Sequence, residues 1–581
     1  MNEVYAGTLE ELKKVSPKVV KGGSHGIAII CHEGSVYAVD NRCPHLGFPL
    51  HMGSVCDGLL TCHWHHARFD LKSGGTLDPW ADDVPVHQVS IRDGEVWVNS
   101  ESKNRPTVTK YRKRLKEGLE QNLSLVIAKA VTGLVNAGEP LADIAKIGVA
   151  YGTKHRWNGW RSGLTILTAM TNMLPYLDRN GQILALYQGL VHVARESAGM
   201  GTRFLLGPLP LQGEETPSPE RLAEWYRHSL EVRDVQGAER VLLTAVETGA
   251  ENQEIAEMMM TAVTDHYYMN TGHTLDFHNK AFEMLEKTGD DLQGQVLTSL
   301  LPEFTNASRS EELHSWQAPV DLRIPLEHAF EQMENMEFGD ETVADPDHLF
   351  DMLLRDDPAE TVQLITGLLE NGANPVLIAR IATGAAAERI ARFHVQNEFR
   401  DWITVLHTFS HAHAVHESLK RSLSKDLVRG IYHSAMSIYL DRFLNTPAAR
   451  RPDRTPLSEE ASHPEELLSL LDRQQQTDQA AKWLSAYLNR NGNRRSLFNV
   501  LAHAVLREDA EFHTFQVLEA AVSEHEGWAK ENTEFAERMQ DTLLFGAIRY
   551  IAAHAPTSRE VPHTAGIAMR LSKGDRLFED E

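Results

Sequence analysis

Two residue pairs, Cys43-x-His45 and Cys62-x-x-His65, stand sixteen residues apart in the stretch Asn41–Asp70, which holds three of the chain's four cysteines and five of its histidines. Four cysteines among 581 residues are too few for a disulfide scaffold, so a clustered set points to metal binding or redox chemistry. A two-plus-two set of soft thiolates and imidazoles suits a zinc ion, or an iron–sulfur cluster held half by each pair. Zinc fingers usually space their first ligands by roughly two to four residues and bring the last pair from a helix. Here both pairs lie in tight loops, CPHLG and CHWHH, between short β-type segments such as IAIICHEG, VYAVD, GLLTC and VWV.

Taken together, CPH, Gly47, GSVCDGLLTC, CHWH, Phe69-Asp70 and PVHQVSIRDGEVWV resemble a Rieske [2Fe–2S] domain over about residues 2–100. The resemblance implies that Cys43 and Cys62 hold a buried iron and that His45 and His65 hold the exposed one. It also implies a carrier of single electrons. Rieske proteins of the respiratory complexes add a cysteine to each ligand loop, joined as a disulfide; those positions are Phe48 and Trp64 here. Their serine after the last histidine, which donates to a cluster sulfur, is His66. Fewer donors lower the potential, which places the domain in the ferredoxin or oxygenase branch, near roughly −150 mV. The expected electron donor is a reductase or another ferredoxin. The loop Leu77-Asp78-Pro79-Trp80 falls where relatives place a proline-containing loop over the cluster. Cys31 and Cys56 read as small buried hydrophobes, and His63 and His66 as solvated loop residues.

Apolar residues recur at three-to-four spacing in LSLVIAKAVTGLVNAG, QILALYQGLVHVARE, IAEMMMTAVTDHYY and DTLLFGAIRYIAAHA, which predicts helices throughout the rest of the chain. The expected fold is therefore multi-domain, an N-terminal all-β domain followed by a large all-α domain with an internal duplication. AVTGLVNAGEPLADIAKIG from Ala130 matches LITGLLENGANPVLIARIA from Leu364, and HRWNGWRSGLTIL from His155 matches HVQNEFRDWITVL from His394. Tyr187 matches Tyr432, and His278 in DFHNKAFE matches His513 in EFHTFQVLE. The expected boundaries are 1–100 for the Rieske domain, 101–110 for a linker, 111–300 and 345–555 for the two helical halves, 301–344 for an irregular bridge and 556–581 for a C-terminal tail.

Pseudo-symmetric packing of two such halves brings equivalent positions toward a shared axis, so His155, His278, His394 and His513 are expected to converge on a second metal, an iron or another ion. The alternative is that these histidines cap or bridge helices inside each half, beside Asn158 or Arg161. The Asp/Glu-x2-His-x4-His run of the large Rieske oxygenases is absent; His273 and His278 have the last spacing, yet position 270 is asparagine. No Gly-x-Gly-x-x-Gly follows a strand, so no nicotinamide or flavin site is built in.

The expected function is an oxidoreductase whose [2Fe–2S] domain passes single electrons to a site in the helical domain, for an oxygenase-like reaction on a small molecule. The rival is a redox-sensing or electron-carrier protein whose helical domain is a non-catalytic partner-binding scaffold. A net charge of −24 argues against nucleic acid as a partner. With no apolar run near 18 residues and no basic leader, no membrane partner and a cytoplasmic location are expected. The reading leaves room for a homo-oligomer.

Overall fold

The computed structural model describes every residue except 1, 2, 24, 105, 156–158, 211–216, 452–462, 491, 576 and 578–581. Asn158 lies outside the described residues. The chain forms two compact units, Met1–Pro140 with Val561–Glu581, and Leu141–Glu560.

The first unit holds a short helix, α1 (Leu9–Lys14), and nine strands in three antiparallel sheets. The strands are β1 (Glu3–Thr8), β2 (Lys18–Val20), β3 (Ile27–His32), β4 (Ser35–Asp40), β5 (Ser54–Cys56), β6 (Leu59–Thr61), β7 (Arg68–Asp70), β8 (His87–Arg92) and β9 (Glu95–Ser102). The sheet orders are β1-β9-β8, β2-β3-β4 and β5-β6-β7. Glu33-Gly34, Asp57-Gly58 and Asp93-Gly94 take positive φ at both positions of their hairpins. This is the type I′ form, whose twist matches that of the strands it joins.

Strand β3 is buried on both faces, and its period-two alternation sorts its side chains between two cores. Ala28 and Ile30 pack with Val39, Leu50, Leu60, Phe69, Cys43 and Cys62. Ile27 and Ile29 pack with Leu12, Val96 and Val98. Both ligand-loop cysteines thus rest on one apolar core. Cys31 is half-buried and Cys56 is exposed, which corrects the expectation that both are buried. Cys56 ends β5 directly before the Asp57-Gly58 turn, and the alternation along the strand turns Val55 rather than Cys56 toward the core.

The segments expected to be a linker and a C-terminal tail carry regular structure. Between β9 and helix α2 (Val108–Glu120) only 103–107 is non-regular, and Thr107 caps the helix by accepting from the Lys110 amide. Helix α3 (Ser124–Asn136) follows. These helices and the C-terminal helix Glu560–Lys573, from Val561 on, belong to the same unit as the strands, so this compact unit extends past residue 100. The C-terminal segment is helical because Val561, Ala565 and Ala568 make a buried stripe.

Among the described residues, the named elements of the second unit are all helices. The segment 301–344 carries helix Arg323–Met333, whose Leu326, Ala329 and Met333 share one buried face. An acidic composition masks that periodicity in the sequence. Helices Pro375–Ala391, Phe399–Arg421, Phe512–Trp528 and Glu534–His554 are buried along most of their length. The described helices include none that is long and apolar enough to cross a membrane. The matched helices α3 and Pro358–Glu370 each run out just before a left-handed glycine, Gly138 and Gly372, but they fall in different units.

Candidate metal centre

The two ligand loops share one backbone plan. In the first, the Cys43 amide donates to Phe48 O (2.7 Å) and the Gly47 amide to Cys43 O (2.8 Å). In the second, the Cys62 amide donates to Ala67 O (2.8 Å) and the His66 amide to Cys62 O (2.9 Å). The fifth residue of each loop is left-handed, Gly47 with φ +94° and His66 with φ +62°. In each loop the amides two and three residues after the cysteine, those of His45 and Leu46 or of Trp64 and His65, donate to its sulfur.

This plan places the four expected ligands together. Cys43 and Cys62 are 3% and 1% exposed, and their thiols lie within hydrogen-bonding reach of each other. The contact with Cys62 and burial push the Cys43 thiol up, while the hydrogen bond from Cys43 brings Cys62 down to about 6. The His45 and His65 rings meet edge to face at 4.8 Å, and His65 reaches solvent. Burial lowers His45 to about 4, with Lys129 and His65 adding to the effect. Its Nδ1 is buried without a hydrogen-bond partner, as an imidazole donor for a metal requires. Two facing thiols beside two facing imidazoles fit a [2Fe–2S] group with mixed ligands.

Aromatic rings wall the histidines. Trp80 lies 4.7 Å from His45, and Trp64 lies 4.6 Å from His65. Asp78 fixes the Trp80 loop by accepting from the Arg68 amide at 2.8 Å and its guanidinium at 2.8 Å. From α2, Arg114 donates to Pro79 O and Ala81 O, both at 3.0 Å, and pairs with Asp82 at 2.9 Å. Lys110 pairs with Asp83 at 2.8 Å. From α3, Lys129 donates to Pro44 O and His45 O, both at 2.6 Å. The sequence reading missed these supports: it placed Lys110 in a linker and Arg114 and Lys129 in a helical half. The available signal was the acidic pair Asp82-Asp83, which complements the basic run KYRKRLK.

The helical histidines gather differently from the expectation. His155 stacks on Tyr151 at 4.4 Å. His278 is fully buried against Phe282 at 4.7 Å. His394 accepts from the Gln396 amide at 3.2 Å beside a surface cavity. Among the described residues, no cluster of three donors within 4.8 Å contains two of His155, His278, His394 and His513. His513 instead meets His273 and His407. The physical reason is that repeat-matched positions need not face one pocket when each half packs against different neighbours. A second buried set joins Lys280 to Glu283 (2.9 Å) and Glu519 (2.5 Å), and His413 and His416 to Glu524 (2.7 Å each).

Residues 2–88 match the family described as Rieske [2Fe-2S] domain. The chain is 29% identical over 100 residues to the 3-phenylpropionate/cinnamic acid dioxygenase ferredoxin subunit of Photorhabdus laumondii, covering 17% of this chain and 94% of that protein. It is 29% identical over 93 residues to apoptosis-inducing factor 3 of Homo sapiens, covering 16% of this chain and only 15% of that protein's length. Among solved structures, the ferredoxin of carbazole 1,9a-dioxygenase from Nocardioides aromaticivorans IC177 is 26% identical, with 17% of this chain and 100% of that chain covered and a TM-score of 0.17.

Proposed function

With residues 2–88 a Rieske domain that binds a [2Fe–2S] cluster, we propose that it takes single electrons from a reductase or ferredoxin and passes them to a site in the helical region. Cys43 and Cys62 hold one iron, and His45 and His65 the other. The observation that carries this assignment is the shared plan of the two loops, with buried sulfurs behind facing imidazoles. When bound, the cluster supplies one reversible electron at a time.

The protein's own part is to hold and shield. Amides aimed at the cysteine sulfurs favour the thiolate form. Trp80 covers the His45 ring while His65, flanked by Trp64, stays open to solvent, and Lys129 ties down the first loop from behind. The reaction served is oxygen-dependent chemistry on a small molecule, in a cytoplasmic oxidoreductase. Resemblance to a dioxygenase ferredoxin subunit supports this, as does the benefit of holding donor and acceptor in one chain, where their effective concentration reaches roughly the millimolar level.

The test is electron paramagnetic resonance of the dithionite-reduced full chain. A Rieske signal is expected in the wild type and none in Cys62→Ala or His65→Ala, with the helical circular dichroism unchanged. A signal retained in either variant overturns the ligand assignment. Reduced cluster that persists in air with every candidate substrate favours the scaffold reading.

A further inference from the structure

The helices that start at His273 and Phe512 and the Phe399–Arg421 helix bring three imidazoles to one point. The ring centroids are 4.4 Å apart for His273 and His407, 4.7 Å for His407 and His513, and 5.5 Å for His273 and His513. One nitrogen from each lies within 4.8 Å of the others. His407 Nε2 and His513 Nε2 are 2.8 Å apart. Two nitrogens on one metal at bond lengths of about 2.0–2.1 Å stand roughly 2.9–3.4 Å apart, so the pair needs little movement to share an ion.

A hydrogen bond alone does not account for the cluster. The Glu511 carboxylate takes the Nδ1 side of His513, which leaves Nε2 of that ring bare and facing inward. His407 Nε2–H can satisfy it. The third ring, His273, then has no role, and its Nδ1 is buried without a partner. A cation engages all three. A carboxylate behind a histidine is also the usual outer support of a metal ligand, where it sets the tautomer and the ring orientation.

The chain is strained to put His273 there. Tyr268, Asn270 and Thr271 are left-handed with φ of 44°, 47° and 54°, and Gly272 follows at φ 91°. A Cβ on Gly272 would sit 2.9 Å from the Cβ of His411 and 3.3 Å from His407 O, so the backbone passes the histidine helix as closely as it can. Such strain persists where the surroundings over-determine a site.

We propose that His273, His407 and His513, with Glu511 supporting His513, bind a divalent first-row transition-metal ion. Three imidazoles and no carboxylate suit iron, zinc, cobalt or nickel, and three protein ligands leave open positions for water or substrate. The site rests on its own geometry. Its redox role, with iron as the ion, rests on the function proposed above, since iron there is an acceptor for single electrons.

The experiment uses the full chain purified without oxygen, stripped with a mild chelator and titrated with Co(II) or Fe(II), with total iron, sulfide and zinc measured in parallel. One ion beyond the cluster iron is expected, with a visible Co(II) band. His407→Gln and His513→Gln should lose that ion while keeping the Rieske signal and the helical circular dichroism. Glu511→Gln should weaken binding roughly 10–100-fold. If a histidine variant does not fold, His273→Gln, which alters only a helix start, replaces it. No uptake by the wild type overturns the proposal, and so does equal uptake by folded histidine variants. Uptake without any electron reaching the ion leaves the metal site standing and overturns the electron-transfer reading instead.

Discussion

Lys129 Nζ donates a 2.6 Å hydrogen bond to the carbonyl oxygen of His45, so helix α3 grips the loop that carries Cys43 and His45. The same ammonium reaches Pro44 O and stands 3.4 Å from Asp82. Burial pulls the Lys129 ammonium below its ordinary pKa and Asp82 works against that loss; in its protonated form it favours the reduced cluster, which carries one more negative charge.

Lys129→Gln keeps a donor and removes the charge. The reduction potential should fall by a few tens of mV, given that roughly 1.4 kcal/mol corresponds to about 59 mV for one electron. A spectroscopic redox titration reads this directly, and an unchanged potential would assign Lys129 a packing role only.

Gly47 and His66 occupy the same left-handed position of the two ligand loops. Relief of strain at His66 outweighs the added freedom of the unfolded chain, so His66→Gly should stabilise the domain by roughly 0.5–1 kcal/mol. Gly47→Ala should destabilise it by roughly 1–2 kcal/mol. Guanidinium unfolding followed by visible circular dichroism tests both.

The Arg68 guanidinium and amide hold the Asp78 carboxyl below the usual carboxylate range. A depressed folded pKa gives stability that is fully present above the unfolded value of about 3.9 and is lost as pH falls through the folded value. Trp80 fluorescence should therefore report release of its loop only below about pH 4. In Asp78→Asn that acid transition should vanish, leaving a loop that is looser at every pH.

Glu524 raises buried His413 to about 9 against the cost of burial. A raised folded pKa gives stability that is fully present below the unfolded value of about 6.5 and lost as pH rises through the folded one. The helical unit should thus weaken between about pH 6.5 and 9. Glu524→Gln leaves the histidines without their carboxylate and should cost roughly 3–5 kcal/mol, read as a drop in the melting temperature of the helical signal. An equal melting temperature would show that the pair is held by packing alone.

Local spacing along the chain determined a good deal. Cys43, His45, Cys62 and His65 stood out because each pair sits within one tight loop, and the structure brings the four side chains together. The change from a period of two to one near four after residue 100 was legible too. Tertiary packing decided the rest. Lys129 and Arg114 read as ordinary helix residues until α2 and α3 close on the ligand loops. His273 and His407 carry no motif, and of the four repeat-matched histidines only His513 joins them. Rings brought from three helices far apart in sequence meet only when the side chains between those helices interdigitate. That depends on the shape of the whole core, which a periodic pattern of apolar residues does not encode.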